Sequence, residues 1–112
     1  MGSFALTLAV AAPILMRVIS KKRLKQFWKR EPEAEGQLQA WFAEAEDADW
    51  NSPADVKAKY GTANILNDNR VVFNTCGNKY RLIVKITYRY GMVYIRFIGT
   101  HTEYDKIDAG TV

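Results

Sequence analysis

The chain has very few of the residues that most enzyme classes depend on. Its 112 residues include a single histidine, His101, and a single cysteine, Cys76. One cysteine excludes an internal disulfide and any multi-cysteine zinc site, and no metal-ligand spacing is recognisable elsewhere. Glycine-rich phosphate loops and dinucleotide fingerprints are also missing. We therefore expect no metal and no organic cofactor, and the lone cysteine suits a cytoplasmic, reducing compartment.

Long hydrophobic runs are also scarce, and the main uncharged stretch is at the N-terminus, where residues 1–15 read MGSFALTLAVAAPIL. A transmembrane helix needs about 20 apolar residues, and no basic n-region of a signal peptide precedes this stretch. Met16 begins MRVISKKRLKQFW, which is typical of the start of a cytosolic domain. We predict that Met16 is the functional start and that residues 1–15 are an extension or a start-site artefact, with no membrane partner. A short hydrophobic anchor or an extra strand is the alternative.

What the chain does have is apolar content and an uneven distribution of charge. Hydrophobic residues make up 48%, which is enough for one packed domain of this length. Residues 17–30 carry seven basic and no acidic side chains, residues 31–60 carry eight acidic and two basic, and residues 61–112 carry seven basic and four acidic. The net charge is +4. Basic surfaces of this kind attract polyanions such as nucleic acid.

The hydrophobic periodicity predicts helices first and strands afterwards. A short strand over residues 16–19 precedes helices over residues 21–30 and 33–48 and a third helix that opens within NSPADVKAKY. From Arg70 the period changes to two, which predicts the strands RVVFNT, KYRLIVKITY and MVYIRFIG, joined as antiparallel hairpins. The sequence therefore predicts an α+β fold in which helices cover one apolar sheet face.

The other sheet face is predicted to be basic. Alternation places Val93, Ile95 and Phe97 in the core. The opposite face then carries Lys79, Arg81, Lys85, Tyr94 and Arg96. Cations that pair with phosphates, beside an aromatic ring on which a base stacks, suit single-stranded RNA. A solvated basic face of a two-layer fold is the commoner explanation of such a pattern.

The segment VYIRFIGTHTEYDKID places His101 directly after the last predicted strand. An imidazole suits proton transfer near neutral pH. RNA carries its own nucleophile, the 2′-OH, so cleavage needs proton transfer and positive charge at the phosphate but no protein nucleophile. His101, Tyr104, Arg81 and Arg96 supply these groups if the strand end meets the sheet face. From the residues alone an ordinary surface histidine is the commoner outcome, and Asp105 belongs to a capping cluster or orients His101.

Four segments, taken in order, resemble the HigB family of bacterial type II toxins, a branch of the RelE/ParE superfamily. They are MRVISKKRLKQFW, ADWNSPADVKAKYGTANIL, RVVFNTCGNKYRLIVKI and VYIRFIGTHTEYDKID, and they span residues 16 to about 109. The resemblance implies a RelE-like α+β fold, with an N-terminal strand and two to three helices packed on one face of a curved antiparallel sheet. That toxin domain would comprise residues 16–112, and residues 1–15 would lie outside it.

The resemblance also implies an activity and its partners. HigB-like toxins are mRNA interferases, endoribonucleases that cleave messenger RNA on the ribosome without a metal. They are neutralised by a HigA-like helix-turn-helix antitoxin, and DNA is contacted only through that antitoxin. A ParE-like toxin that poisons DNA gyrase, and a non-catalytic RNA-binding module, are the alternatives.

The same resemblance implies roles for individual residues. Arg81, in NKYRLIVKI, matches an arginine that contacts the scissile phosphate, and His101, in the GTH step, matches a residue that transfers a proton or stabilises charge. Tyr104 matches a tyrosine at the site, while Lys79 and Arg96 match basic positions less specifically. The dense lysine set of the best-known RelE enzymes is not reproduced, so the resemblance leaves the general base unassigned.

Overall fold

The computed structural model describes residues 15–112, which form five strands and four α-helices. The elements are β1 (Arg17–Ile19), α1 (Lys21–Arg30), α2 (Glu35–Glu46), α3 (Pro53–Lys59), β2 (Asn64–Ile65), β3 (Arg70–Thr75), β4 (Tyr80–Thr87), β5 (Met92–Thr100) and α4 (His101–Tyr104). Of the predicted N-terminal extension only Leu15 is described, and it is exposed. The predictions for residues 1–14 lie outside the described residues. No helix within residues 15–112 is long and apolar enough to cross a membrane.

The five strands form one sheet in the order β1-β5-β4-β3-β2. The two hairpins β3–β4 and β4–β5 are antiparallel, as their short links predict. β1 pairs with β5 in parallel, so the sheet is mixed. No turn joins β1 to β5, so the hairpin signals in the sequence do not indicate whether β1 runs parallel or antiparallel to β5. The predicted α+β fold is confirmed, with a parallel edge strand added.

The core lies between the helices and one face of the sheet. α1 buries Leu24, Phe27 and Trp28, the stripe at i, i+3 and i+4 that the sequence predicts. Each large apolar side chain removed from water contributes about 1.5–3 kcal/mol. The other buried members are Met16, Ala34, Trp50 and Ala63 outside these elements, Val18 of β1, Leu38, Trp41 and Ala45 of α2, Val56 of α3, Val71 and Phe73 of β3, Tyr80, Leu82, Val84 and Ile86 of β4, and Val93 and Ile95 of β5.

A β-bulge in β5 changes which side chains face that core. Val84 of β4 pairs with Ile95 of β5, but Ile83, the residue before Val84, pairs with Phe97. Arg96 of β5 is therefore the extra residue. A bulge shifts the alternation of all following side chains by one position. Ile98 therefore packs against the core, and Phe97 turns to the face of the sheet opposite the helices, where Val72 and Ile83 are also buried. The prediction of Phe97 as a core residue was wrong for this reason.

Candidate functional site

The short helix α4 begins where β5 ends, and a capping box fixes that junction. The hydroxyl of Thr100 accepts a hydrogen bond from Glu103 N at 3.2 Å, and Thr100 N donates to Glu103 Oε1 at 2.8 Å. The two bonds together satisfy backbone donors that a helix start leaves unpaired. His101 is the first residue of the helix, and its backbone N donates to the Lys79 carbonyl at 2.8 Å. His101 is thereby held against the start of β4.

A second contact ties α4 to α1. The guanidinium of Arg30 makes two hydrogen bonds to the carboxylate of Glu103, at 3.0 and 3.1 Å. These bonds, together with the backbone N–H of Thr100, lower the pKa of Glu103 to about 2. A bidentate guanidinium–carboxylate pair has a defined orientation. The pair therefore sets the position of α4 relative to the basic helix.

Replacing Glu103 with glutamine should lower stability in a pH-dependent way. The folded-state pKa of Glu103 lies below its ordinary value of 4.5. Its contribution is therefore present above that value and is lost as pH falls towards 2. We expect the variant to lose about 1 kcal/mol or less at pH 7, because both partners are half-exposed.

Urea denaturation at a series of pH values measures this effect. The difference between the wild type and Glu103→Gln should shrink to near zero by pH 2. Glu35→Gln, at an exposed glutamate that accepts a hydrogen bond from Gln39, is the control, and its stability difference from the wild type should not shrink in this way as pH falls. A difference for Glu103→Gln that stays constant with pH would contradict the assigned role of the ion pair.

His101 itself is paired with Asp105 one helical turn later. Nδ1 of His101 lies 3.1 Å from Oδ2 of Asp105, and both side chains are about half exposed. A carboxylate beside one ring nitrogen favours hydrogen on that nitrogen and leaves the other nitrogen for exchange with a substrate. The sequence left two roles open for Asp105, helix capping or orientation of His101, and this contact favours orientation. Nε2 is then the ring nitrogen available for proton transfer.

Arg81 and Tyr104 meet on the face of the sheet opposite the helices. The guanidinium carbon of Arg81 lies 5.6 Å from the centroid of the Tyr104 ring, which is a cation–π geometry. Nη1 of Arg81 also donates to the carbonyls of Asn78, at 2.9 Å, and Tyr80, at 3.3 Å. The ring of Phe97, turned outwards by the bulge, lies 6.5 Å from that of Tyr104. α4 therefore carries the tyrosine that contacts the arginine of β4 and, at its first residue, the histidine.

The remaining predicted basic residues make pairs of their own. Lys79 contacts Glu33 at 2.7 Å, and Lys85 contacts Asp68 at 3.0 Å. Nε of Arg96 donates to the carbonyl oxygen of Val112 at 3.2 Å. Arg81 differs from the two lysines, because within residues 15–112 it has no acidic partner and contacts only carbonyl oxygens and an aromatic ring. Tyr94, the last predicted contact, is 37% exposed and is paired in register with Lys85.

An open groove of about 530 Å³ adjoins His101 on its other side. Its walls include Lys79, Tyr80 and Thr102, together with the carboxylates of Glu31 and Glu33. The carboxylates oppose the approach of a polyanion from that direction. Within residues 15–112 no three His, Cys, Asp or Glu side chains are close enough together to hold a metal ion.

A profile of the HigB toxin family, described as the RelE-like toxic component of a toxin-antitoxin system, matches residues 34–107. The chain belongs to the HigB toxin family. Curated relatives include the mRNA interferase toxin HigB of Escherichia coli (strain K12) and the mRNA interferases HigB of Escherichia coli O157:H7 and Shigella flexneri. Each is 28% identical over 96 residues, which cover 84% of this chain and 92% of the relative.

The family match confirms the resemblance that the four segments suggested. Residues 34–107 include β3, β4, β5 and α4, and so contain every residue predicted for the site. As the toxic component of a toxin-antitoxin system, this HigB family member has an antitoxin as its partner. Its α1, which supplies Arg30 to the α4 contact, lies outside the matched range.

Proposed function

We propose that this HigB family toxin is an mRNA interferase, an endoribonuclease that cleaves messenger RNA on the ribosome in the cytoplasm and so inhibits translation. The observation that carries the proposal is the arrangement at α4, where Tyr104 stacks with Arg81 and His101 is oriented by Asp105. The names of the curated relatives as mRNA interferases support it.

The proposed chemistry uses the 2′-oxygen of the substrate as the nucleophile. This oxygen loses its proton and attacks the adjacent phosphorus, the P–O5′ bond breaks, and the departing 5′-oxygen takes up a proton. The products are a 2′,3′-cyclic phosphate and a 5′-hydroxyl, with no oxidant, water or metal consumed. His101 Nε2 exchanges a proton with one of these two oxygens. Arg81 stabilises the charge that builds up on the phosphate oxygens, and Tyr104 holds Arg81 in place.

The RNA strand is proposed to cross the face of the sheet opposite the helices, beside the part where Val72 and Ile83 are buried. Arg81 is available at once for a phosphate, because no carboxylate within residues 15–112 competes for it. Lys79, Lys85 and Arg96 bind RNA by exchanging their present partners for phosphate oxygens. Exposed ion pairs contribute only about 0–1 kcal/mol, so this exchange costs little. Tyr94 offers an exposed ring on which a base can stack.

Replacing Glu33 with glutamine should strengthen RNA binding. Glu33 makes two contacts to Nζ of Lys79, at 2.7 and 2.8 Å, and its loss frees that amine for a phosphate. We expect the Kd for a single-stranded RNA oligonucleotide to fall by about fivefold, equivalent to about 1 kcal/mol. Fluorescence anisotropy in a His101→Ala background, which prevents cleavage during the measurement, tests this.

Glu35→Gln is the matched control for that experiment. It changes the net charge by the same amount but removes a carboxylate that contacts Gln39 rather than a cation. Its Kd should stay within about twofold of the parent. Equal tightening in both variants would mean that net charge alone is responsible and that Lys79 makes no RNA contact.

The function is tested by incubating the purified toxin with an mRNA in EDTA, with and without ribosomes. We expect cleavage only when ribosomes are present and at the same rate with or without EDTA. Cleavage that needs a divalent metal, or intact mRNA under all conditions, would refute the proposal. Inhibition of gyrase supercoiling with intact mRNA would instead favour a ParE-like toxin.

Two further parts of the account are proposals about organisation. The toxin domain is taken to be residues 16–112, since Met16 is buried and its N donates to the carbonyl of Ala48 at 3.1 Å. The antitoxin is taken to be a HigA-like helix-turn-helix protein, so that operator DNA is bound through the antitoxin. A helix-turn-helix protein encoded in the neighbouring reading frame would support this assignment.

A further inference from the structure

A second cleft lies away from α4, at the outer edge of the sheet. It has a volume of about 270 Å³ and is formed by α2, the turn after α3 and the end of β3. Aromatic rings make up its floor: Trp41 lies 5.4 Å from Phe73, and Tyr60 lies 5.0 Å from Phe73, between ring centroids. Ala40 and Ala63 line its sides. Gln37, Thr62 and Asn74 also line it, so the cleft combines an aromatic floor with polar side chains. β2 pairs with Val71 and Val72 and does not extend along this end of β3.

Two residues that line this cleft each carry a buried polar atom without a hydrogen-bond partner among residues 15–112. The atoms are Nε1 of Trp41 and Oγ1 of Thr75, whose residues are 3% and 6% exposed. A buried donor left unpaired costs about 1–3 kcal/mol, and native proteins keep few of them. An indole N–H can only donate, and a hydroxyl can donate or accept. Both atoms are covered in the free toxin, so a ligand that pairs with them must present an acceptor oxygen and displace neighbouring side chains as it enters.

The charge around the cleft restricts the ligand further. Glu44 forms part of the rim and is held there by a 2.5 Å hydrogen bond from the hydroxyl of Tyr60. α2 carries Glu35, Glu44 and Glu46 and no basic residue. A carboxylate rim on an acidic helix repels the phosphates of RNA and attracts a cation. A basic segment of a protein fits these constraints, and a nucleic acid does not.

We propose that this cleft is a docking site for the antitoxin. A segment of the antitoxin inserts a small apolar side chain between Trp41 and Tyr60, and a backbone or amide oxygen accepts hydrogen bonds from Trp41 Nε1 and Thr75 Oγ1. An adjacent lysine or arginine of the antitoxin pairs with Glu44. The proposal rests on membership of the toxin family and not on the catalytic activity. Trp41 and Thr75 belong to the helix side of the sheet, so binding there leaves Arg81 uncovered.

The test measures the affinity of the toxin for the purified antitoxin encoded with it, by isothermal titration calorimetry. All toxin variants are full-length and carry His101→Ala, so the result does not depend on whether the chain cleaves RNA. Glu44→Lys should raise Kd by about tenfold or more, since it replaces an attraction by a repulsion. Glu35→Lys, the same charge change on the same helix but outside the cleft, should change Kd by about twofold or less.

A second readout follows the indole directly. In a ¹⁵N-labelled toxin the Nε1–H resonance of Trp41, assigned with Trp41→Phe, should shift and exchange more slowly with solvent when the antitoxin is added. The resonances of Trp28 and Trp50 should stay in place. An unchanged Trp41 resonance in a formed complex, or equal affinities for Glu44→Lys and Glu35→Lys, would overturn the proposal. The proposal would also be overturned if Glu44→Lys changed only the self-association of the toxin or its affinity for RNA and left its affinity for the antitoxin unchanged.

Discussion

Replacing His101 with alanine is expected to slow mRNA cleavage by about 10²–10⁴-fold, the usual contribution of a positioned acid or base. His101 is the only histidine in the chain, so no neighbouring imidazole can substitute for it. The rate of cleavage of an mRNA bound to ribosomes measures this directly. Induced in a bacterial host, the variant should also arrest growth more weakly than the wild type.

Two variants on the same segment test whether the effect belongs to the imidazole. Lys106→Ala, at an exposed residue just after α4, should cleave at nearly the wild-type rate. Asp105→Asn retains a hydrogen-bond acceptor near Nδ1 but loses the charge, so its rate should lie between those of His101→Ala and the wild type. Equal toxicity of the wild type and His101→Ala, with intact mRNA in both, would contradict a catalytic role and favour a toxin that needs no catalytic residue.

Replacing Arg81 with alanine is the second large expected effect, a loss of about 10²–10³-fold in kcat on ribosome-bound mRNA. Arg81 is half-buried and stacks on Tyr104, so its guanidinium is already positioned before substrate binds. A group that acts on the transition state should change kcat more than KM. Arg81→Lys keeps the positive charge but loses the planar guanidinium. We expect its kcat to be closer to that of Arg81→Ala than to that of the wild type.

Arg89 provides a matched control for this prediction. It is also an arginine stacked on a tyrosine, with its guanidinium carbon 5.5 Å from the Tyr90 ring centroid, but it lies in the turn at the opposite end of β4. Arg89→Ala should leave kcat within about twofold of the wild type. If Arg81→Ala and Arg89→Ala reduce kcat equally, or if only KM changes for Arg81→Ala, then Arg81 supplies general electrostatic attraction and no specific phosphate contact.

The local parts of the fold were predictable from the sequence. The three main strands and the first helix follow from apolar periodicity, and β3 coincides with the predicted RVVFNT. The His101–Asp105 pair was also within reach, because residues four apart on a helix are neighbours. The parallel pairing of β1 with β5 was not predictable, because it joins segments that are more than 70 residues apart and that no turn connects.

The β-bulge at Arg96 is the feature that most changed the predicted site. Strict alternation placed Phe97 in the core, but the extra residue moves Ile98 there and leaves Phe97 beside Tyr104. No sequence signal marks the bulge, because Phe97 and Ile98 are both apolar and either one can fill the core position. The aromatic surroundings of Tyr104 therefore became visible only with the pairing of the strands.

Long-range charge pairs were equally invisible in the sequence. The sequence placed Lys79 and Lys85 on a basic face without indicating a partner for either, yet Lys79 is paired with Glu33 and Lys85 with Asp68. Both pairings depend on which loops the fold brings next to the sheet. Arg30 and Glu103, which are 73 positions apart, illustrate the same limit, although the capping role of Glu103 is local and was predictable.

The central claim, that α4 and β4 together form a nuclease site that uses the 2′-OH of the substrate, is tested most directly by the chemistry of the cut ends. Messenger RNA cleaved by the purified toxin on ribosomes in EDTA should carry a 2′,3′-cyclic phosphate on the upstream fragment and a 5′-hydroxyl on the downstream fragment. Enzymatic end-labelling distinguishes these groups. Fragments with a 3′-hydroxyl and a 5′-phosphate would show that water, and not the 2′-oxygen, attacks the phosphorus, and would contradict the account.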